Sequence, residues 1–243
     1  MKKRNQPPRN GEEVRAFLAN RATFNAVPAP QFEGSTATIR LFEPIDSWGE
    51  WWGMSAKEFS EALDGLPDHI DTIELLINSP GGEVWDGMAI VNVLRAHPAR
   101  TRAVVQGLAA SAASFIACAA DETLMMPNST LMIHNSWGLC RGNASDMIDM
   151  AALLEKLDAN INDIYVRKSG GDPDEIAAMM DAETWLSDTE AVAAGLADAT
   201  TEPDDDADET APTSRFNPAE HIPATSGRDD SALIAAHAQR RRR

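Results

Sequence analysis

Three short segments of this chain carry the residue types that acyl-transfer chemistry uses. Ser111 lies in a run of very small residues at positions 106–114, and His134 ends the apolar stretch Leu-Met-Ile. A serine hydroxyl is a weak nucleophile near neutral pH and needs a base, most often a histidine. The pair Gly81 and Gly82 follows another apolar stretch, and paired glycines allow positive φ and expose backbone N–H groups that can stabilise an oxyanion. The segments therefore predict a nucleophile, a base and an oxyanion-binding loop.

Each segment also has a purely structural interpretation. Serine often caps the N-terminus of a helix, a histidine that ends a buried strand is usually a hydrogen-bonded core residue, and Pro-Gly-Gly is a common turn. Taken singly, Ser111 and His134 favour these structural roles, whereas taken together with the glycine pair they favour catalysis. His134 is preferred among the five histidines because the others lie in a polar turn, before a proline or near the C-terminus.

A third group must orient the imidazole and stabilise its charged form. Asp181 and Glu183 lie shortly before Ser187, which is expected to cap the next helix. Because they are two residues apart, their side chains would share one face of an extended segment. The residues alone do not choose between them, and either one can equally be a solvated loop acid.

Composition limits the classes of function. The chain has 243 residues, of which 43% are hydrophobic, and this is enough for one sizeable domain with tails. A net charge of −17 argues against general nucleic-acid binding. No apolar run has the length of a membrane span, and no apolar stretch follows the basic start, so we expect no secretory signal. Cys118 and Cys140 lack metal-ligand spacing and are expected to be free thiols of a cytoplasmic protein; we expect no metal and no cofactor.

Strand-like and helical patterns alternate, which predicts an α/β fold of βαβ units with a largely parallel sheet. The expected strands are residues 36–42, 71–78, 101–106, 122–126 and 130–134. The expected helices are residues 55–63, 84–96, 110–119, 146–168, 175–180 and 189–194. Ser111 would then lie where a strand ends and a helix begins, and a helix N-terminus favours a negatively charged oxygen.

The two ends of the chain differ from its centre. Residues 1–32 are polar and rich in proline, and we expect a mobile leader there. Residues 201–243 contain an acidic block and end in four arginines. This segment would bury too little apolar surface to offset its ordering entropy, so we expect a disordered tail. Residues 33–200 are expected to form the folded domain.

These segments resemble the proteolytic subunit family of Clp, serine peptidases that assemble into self-compartmentalising rings. The resemblance covers about residues 36–198 and implies a ClpP/crotonase-like spiral of ββα units with a protruding handle helix at residues 146–168. It rests on similarity to the family's oxyanion loop, nucleophile segment, Met-Ile-His strand and C-terminal signature, at residues 78–82, 107–111, 132–134 and 186–198. Leu108 stands where the family usually has Gln.

The resemblance also implies a catalytic set. It comprises Ser111 as nucleophile, His134 as base, Glu183 as the triad acid with Asp181 in reserve, and the backbone N–H groups of Gly82 and Ala112 as the oxyanion hole. Glu183 departs from the Asp that is common at this position.

Other segments resemble a particular branch, the Clp-type head maturation proteases of tailed phages and prophages, which cleave scaffold and capsid proteins. They are the tryptophan-rich stretch at 44–53, the small residues at 109–114 and the motif at 183–185. The resemblance implies scaffold and capsid proteins as substrates, a homo-oligomeric ring, heptameric or stacked, and a location in the host cytoplasm or the prohead. The altered N-terminus leads us to expect action without an ATP-driven unfoldase.

Three alternatives stay open. They are a general ATP-dependent Clp proteolytic subunit, an inactive Clp-like structural or scaffold component, and a crotonase-type acyl-CoA enzyme. The last shares a spiral ββα core and also sets glycine amides against an oxyanion, but it would not need the pairing of Ser111 with His134.

Overall fold

The computed structural model describes residues 29–47 and 53–201. Its strands are β1 Gln31–Glu33, β2 Thr36–Leu41, β3 Thr72–Ser79, β4 Arg100–Ala110, β5 Glu122–Met125, β6 Thr130–Ile133, β7 Thr184–Ser187 and β8 Ala199–Thr200. Its helices are α1 Ala56–Asp64, α2 Val84–Ala96, α3 Ala112–Ala119, α4 Ala144–Ser169, α5 Pro173–Asp181 and α6 Asp188–Ala193. The leader up to residue 28, residues 48–52 and the tail from 202 lie outside the described residues. Within the described ranges, none of the helices combines the length and apolarity that a membrane crossing needs.

The strands form one mixed sheet, which confirms the predicted α/β fold. Strands β2, β3, β4 and β5 lie side by side and parallel. At the two edges, β1 pairs with β2 in the antiparallel sense and β8 pairs with β5 in the parallel sense. On the edge away from β3, strand β4 has two neighbours, because its first half pairs with β5 and its last residues, Leu108–Ala110, pair with β6. Strand β6 in turn pairs antiparallel with β7. The sheet thus splits along β4, and the split leads directly to Ser111.

Strand β4 is longer than the sequence pattern predicts. The expected end at residue 106 and the expected helix start at residue 110 are both wrong, since the strand continues to Ala110 and α3 begins at Ala112. Small residues have little intrinsic preference for strands, but here Leu108, Ala109 and Ala110 pair with residues of β6. Ser111 is therefore the single residue between strand and helix.

The core lies between the sheet and helices α2 and α3. Ile73, Leu75 and Ile77 on β3 are at most 1% exposed, as their alternation predicts, and burial of each such side chain contributes about 1.5–3 kcal/mol. Gly87 of α2 packs directly against Phe115 of α3, where a Cβ would come within 2.7 Å of the ring. This close approach holds α3, and with it Ser111, against the sheet.

Helix α4 confirms the long helix predicted for residues 146–168. It begins at a capping box formed by Asn143 and ends before Gly170, which adopts the left-handed conformation that favours glycine. The apolar side chains of this helix have two environments. Met147 and Ile148 near its start are 44% and 69% exposed, whereas the side chains of its last turns, including Tyr165, are buried. The last part of the helix therefore packs against the body of the domain.

Candidate active site

Ser111 adopts a backbone conformation that is uncommon for a residue with a side chain. Its φ is 54° and its ψ is −124°. Such a conformation costs about 1–3 kcal/mol and persists where the surroundings enforce it, most often at functional sites. Ser111 is the N-cap residue of α3, but its hydroxyl makes no capping hydrogen bond, so the interpretation of Ser111 as a simple helix cap is wrong.

The Ser111 hydroxyl is hydrogen-bonded to His134 instead of to the helix backbone. The Nε2 of His134 lies 2.7 Å from the Oγ of Ser111, which is the distance expected between a general base and its nucleophile. The pairing follows from topology, since β4 and β6 are parallel, with Ala110 beside Met132, and their carboxyl ends meet at one edge. The N–H of Ser111 also donates to the carbonyl of Met132 at 3.0 Å. The structure thus brings the predicted nucleophile and base together.

The glycine loop lies against the nucleophile turn. A Cβ on Gly81 would come within 2.8 Å of the Cβ of Ser111, and Gly82 borders the same cleft as Ser111 and His134. Ile45 bridges to the loop by donating to the Gly81 carbonyl and accepting from the Glu83 N–H, each at 2.9 Å.

The two predicted oxyanion-hole amides are both unpaired within the described part of the chain. The Gly82 N–H takes no part in the bridge to Ile45, and the N–H of Ala112 is one of the first N–H groups of a helix, which have no intrahelical partner. Neither N–H is therefore engaged by a backbone acceptor in the described residues, which an oxyanion hole requires of its donors.

Sequence reasoning missed the residue that holds the glycine loop. Ser79 is fully buried, its hydroxyl donates to the carbonyl of Glu43 at 2.7 Å, and it accepts from the N–H of Gly81 at 3.2 Å. Its place directly before Pro-Gly-Gly was the available signal. Its partner Glu43 is 36 residues away, and this could not be read from the local pattern.

The two candidate acids are near His134, but neither contacts it. Glu183 accepts from the indole Nε1 of Trp185 at 3.2 Å, and Asp181 accepts from Asn135 Nδ2 at 2.6 Å. In the described residues, no carboxylate oxygen lies within 4.0 Å of a His134 ring nitrogen. The structure therefore assembles two members of the predicted triad and leaves the third unassigned.

The segment that carries Asp181 and Glu183 is not extended. The expectation that their side chains share one face of an extended segment is therefore wrong. Asp181 ends α5, and Glu183 has a φ of 48°. The pairing of β6 with β7 places Ile133 opposite Thr184. His134 and Glu183 each lie one residue beyond this pair. Ser187 caps α6 as predicted, and its backbone N–H and hydroxyl hold the pKa of the Glu190 carboxyl below its ordinary value.

A cleft of about 860 Å³ opens beside Ser111 and His134. One wall is formed by the glycine loop with Val84 and Trp85, and the other by Met132 and the first half of α4. The apolar residues of α4 that line it are Met150, Leu153, Leu154 and Leu157. Residues 29–47 and 53–201 contain no cluster of three His, Cys, Asp or Glu side chains arranged to hold a metal ion.

We expect Gly82 to tolerate a side chain much less well than Gly34, although both have positive φ. A Cβ on Gly82 would lie 1.9 Å from the Ile45 carbonyl oxygen, whereas one on Gly34 would meet nothing within 4 Å. Gly82→Ala should therefore lower the free energy of unfolding by about 2–5 kcal/mol, through backbone strain and overpacking. Gly34→Ala should lower it by about 1–2 kcal/mol. Urea unfolding of both variants measures this, and equal losses would contradict the described loop geometry.

A comparison with protein families places these residues in a known context. A family model described as Clp protease matches residues 54–204. The matched range exceeds half of the chain and contains the nucleophile turn, the base, the glycine loop and both candidate acids.

Proposed function

Because the chain belongs to the Clp protease family, we propose that it is a serine endopeptidase that cleaves peptide bonds through an acyl-enzyme on Ser111. The observation that carries the proposal is the 2.7 Å hydrogen bond between Ser111 Oγ and His134 Nε2. It joins the ends of two separate strands, and Ser111 adopts a strained conformation that directs its hydroxyl away from the helix it precedes. A crotonase-type enzyme would need neither feature.

The proposed reaction has two halves. His134 takes the proton of Ser111 as the hydroxyl oxygen attacks the scissile carbonyl, and the oxyanion accepts hydrogen bonds from the Gly82 and Ala112 amides. The imidazolium then protonates the leaving amine as the C–N bond breaks. Water, deprotonated by His134, attacks the acyl-enzyme, and the released Ser111 oxygen regains a proton. Glu183 is the proposed acid that orients His134.

The lining of the cleft supports a substrate with an apolar side chain next to the scissile bond. Met132, Met150 and Leu154 border the same cleft as Ser111, and burying an apolar side chain contributes about 1.5–3 kcal/mol. We expect kcat/KM to be about 10- to 100-fold higher for a fluorogenic peptide with leucine at that position than for one with aspartate. Initial-rate kinetics on the two peptides measure the ratio.

A matched pair of variants on α4 locates this preference. Met150→Asp puts a charge into the cleft and should lower kcat/KM for the leucine peptide about tenfold or more. Ala152→Asp puts the same charge on an exposed position outside the cleft lining and should leave it within about twofold. Equal effects of the two substitutions would place the substrate elsewhere.

We further propose that the protein processes scaffold and capsid proteins during phage head assembly, as a homo-oligomeric ring that acts without an unfoldase. The support for the head role is the resemblance of residues 44–53, 109–114 and 183–185 to head maturation proteases. Residues 48–52 of the first of these segments lie outside the described residues. The proposed action without an unfoldase rests on the altered N-terminal sequence before residue 32. Ring assembly is typical of the Clp protease family.

The test is co-expression with candidate phage scaffold and capsid proteins, followed by intact-mass analysis. Wild type should shorten the scaffold or capsid protein at one or a few sites, and the Ser111→Ala variant should leave both intact. Cleavage of an unstructured peptide but not of head proteins would support the peptidase and contradict the head role. Intact proteins and no labelling of Ser111 by a fluorophosphonate would favour an inactive structural component.

A further inference from the structure

A series of buried, hydrogen-bonded hydroxyl groups adjoins the nucleophile turn outside the cleft lining. The carbonyl of Ser111 accepts two hydrogen bonds from Ser114, one from its N–H at 2.9 Å and one from its Oγ at 2.6 Å. The Oγ of Ser114 also lies 2.7 Å from the hydroxyl of Tyr165. Since Ser114 donates its one hydroxyl proton to Ser111, it must accept from Tyr165. The order of donation is Tyr165 to Ser114 to Ser111.

These hydroxyls are fully enclosed. Ser114 is 0% exposed and Tyr165 is 1% exposed, and burial raises the pKa of the Tyr165 hydroxyl well above its ordinary value, so that Tyr165 remains a donor. Buried hydrogen bonds in series polarise one another and hold a more definite geometry than isolated ones. This series of hydrogen bonds links the buried end of α4 to Ser111.

We propose that Ser114 and Tyr165 are positioning residues that hold Ser111 in its strained conformation. The strain at Ser111 needs an external constraint, and its carbonyl is fixed from behind by Ser114 while its N–H is fixed by Met132. The peptide group that this carbonyl belongs to also carries the Ala112 amide of the proposed oxyanion hole. One constraint therefore sets the direction of both the Ser111 hydroxyl and that amide. The inference rests on the proposed peptidase function.

The decisive variant is the double substitution Ser114→Ala with Tyr165→Phe. Ser114→Ala alone leaves the buried Tyr165 hydroxyl without its acceptor, which destabilises the fold, and Tyr165→Phe alone leaves Ser114 still donating to the Ser111 carbonyl. Removing both hydroxyls together is nearly neutral for stability. The double variant should unfold close to wild type, yet its kcat should fall about 10- to 100-fold, as for a small misplacement of reacting groups. KM should change little, because the cleft walls are untouched.

The matched control is Thr123→Val. The Thr123 hydroxyl is also fully buried and donates to the Ala117 carbonyl at the other end of α3, at 2.8 Å. A purely structural role for Ser114 and Tyr165 would make all these variants behave alike. We expect Thr123→Val to lose stability and keep the wild-type kcat. A folded double variant with wild-type kcat would overturn the proposal.

Hydrogen exchange separates a failure of this proposal from a failure of the proposed function. The Ser114 amide, which donates to the Ser111 carbonyl, should exchange faster in the double variant than in wild type or Thr123→Val. If wild type neither cleaves peptides nor reacts with a fluorophosphonate, the function fails, and faster exchange still supports the positioning role. Unchanged exchange in the double variant would contradict it.

Discussion

Replacing Ser111 with alanine should abolish peptide hydrolysis while leaving the fold intact. Loss of a serine nucleophile costs about six orders of magnitude in kcat in a comparable protease, and a residual rate remains from binding and the oxyanion hole. Alanine keeps the Cβ and the backbone hydrogen bonds of Ser111, so the thermal midpoint should not fall. Steady-state hydrolysis of the leucine peptide and mass spectrometry after fluorophosphonate treatment measure the loss. A variant that cleaves at the wild-type rate would refute the nucleophile assignment.

A second substitution at the same position tests the geometry even if no substrate is found. Ser111→Gly also removes the hydroxyl, but glycine adopts a φ of 54° with no steric penalty. Ser111→Gly should therefore be at least as stable as Ser111→Ala, although glycine in an ordinary helix costs about 1 kcal/mol relative to alanine. Exposed Ala151 on α4 provides that ordinary position, where the change to glycine should destabilise. The same loss at both positions would mean that Ser111 is not strained.

The core of the site could be predicted from sequence because apolar strands are readable, although the end of β4 was predicted four residues too early. Ser111 and His134 each follow an apolar run, and the carboxyl ends of neighbouring parallel strands meet at one edge of the sheet. The pairing of β4 with β6 supplies that adjacency. The two residues are 23 positions apart, yet their encounter needed only the correct identification of two strands and their parallel order.

Other parts of the site could not be predicted because they depend on distant partners. Strand β7 is only four residues long and exists by pairing with β6; its local pattern did not distinguish it from a loop. Strand β4 continues through glycine and alanine residues because of the same neighbour. Ser79 is hydrogen-bonded to Glu43, 36 residues away, and Ser114 is hydrogen-bonded to Tyr165, 51 residues away. Long-range hydrogen bonding decided each of these features.

The choice of acid has the second-largest expected effect, and we expect Glu183 rather than Asp181 to be essential. Glu183 and His134 each lie one residue beyond Thr184 and Ile133, the last pair of the β6–β7 ladder, so the two residues adjoin where the ladder ends. A rotation of the Glu183 side chain away from Trp185 would bring its carboxylate toward the imidazole. Asp181 ends a helix and already binds Asn135.

Glu183→Gln should lower kcat about 10³- to 10⁴-fold, because an amide neither stabilises the imidazolium nor selects its tautomer. Asp181→Asn, the matched control, can keep its contact with Asn135 and should change kcat by less than about tenfold. Trp185→Phe removes the competing donor and should leave kcat equal to or above wild type, because Glu183 is then free to turn to His134. Peptide hydrolysis across pH 5–9 measures all three variants. If kcat falls only in Asp181→Asn, Asp181 is the triad acid. If kcat falls as far in Trp185→Phe as in Glu183→Gln, the indole holds Glu183 in its catalytic position and does not draw it away from His134.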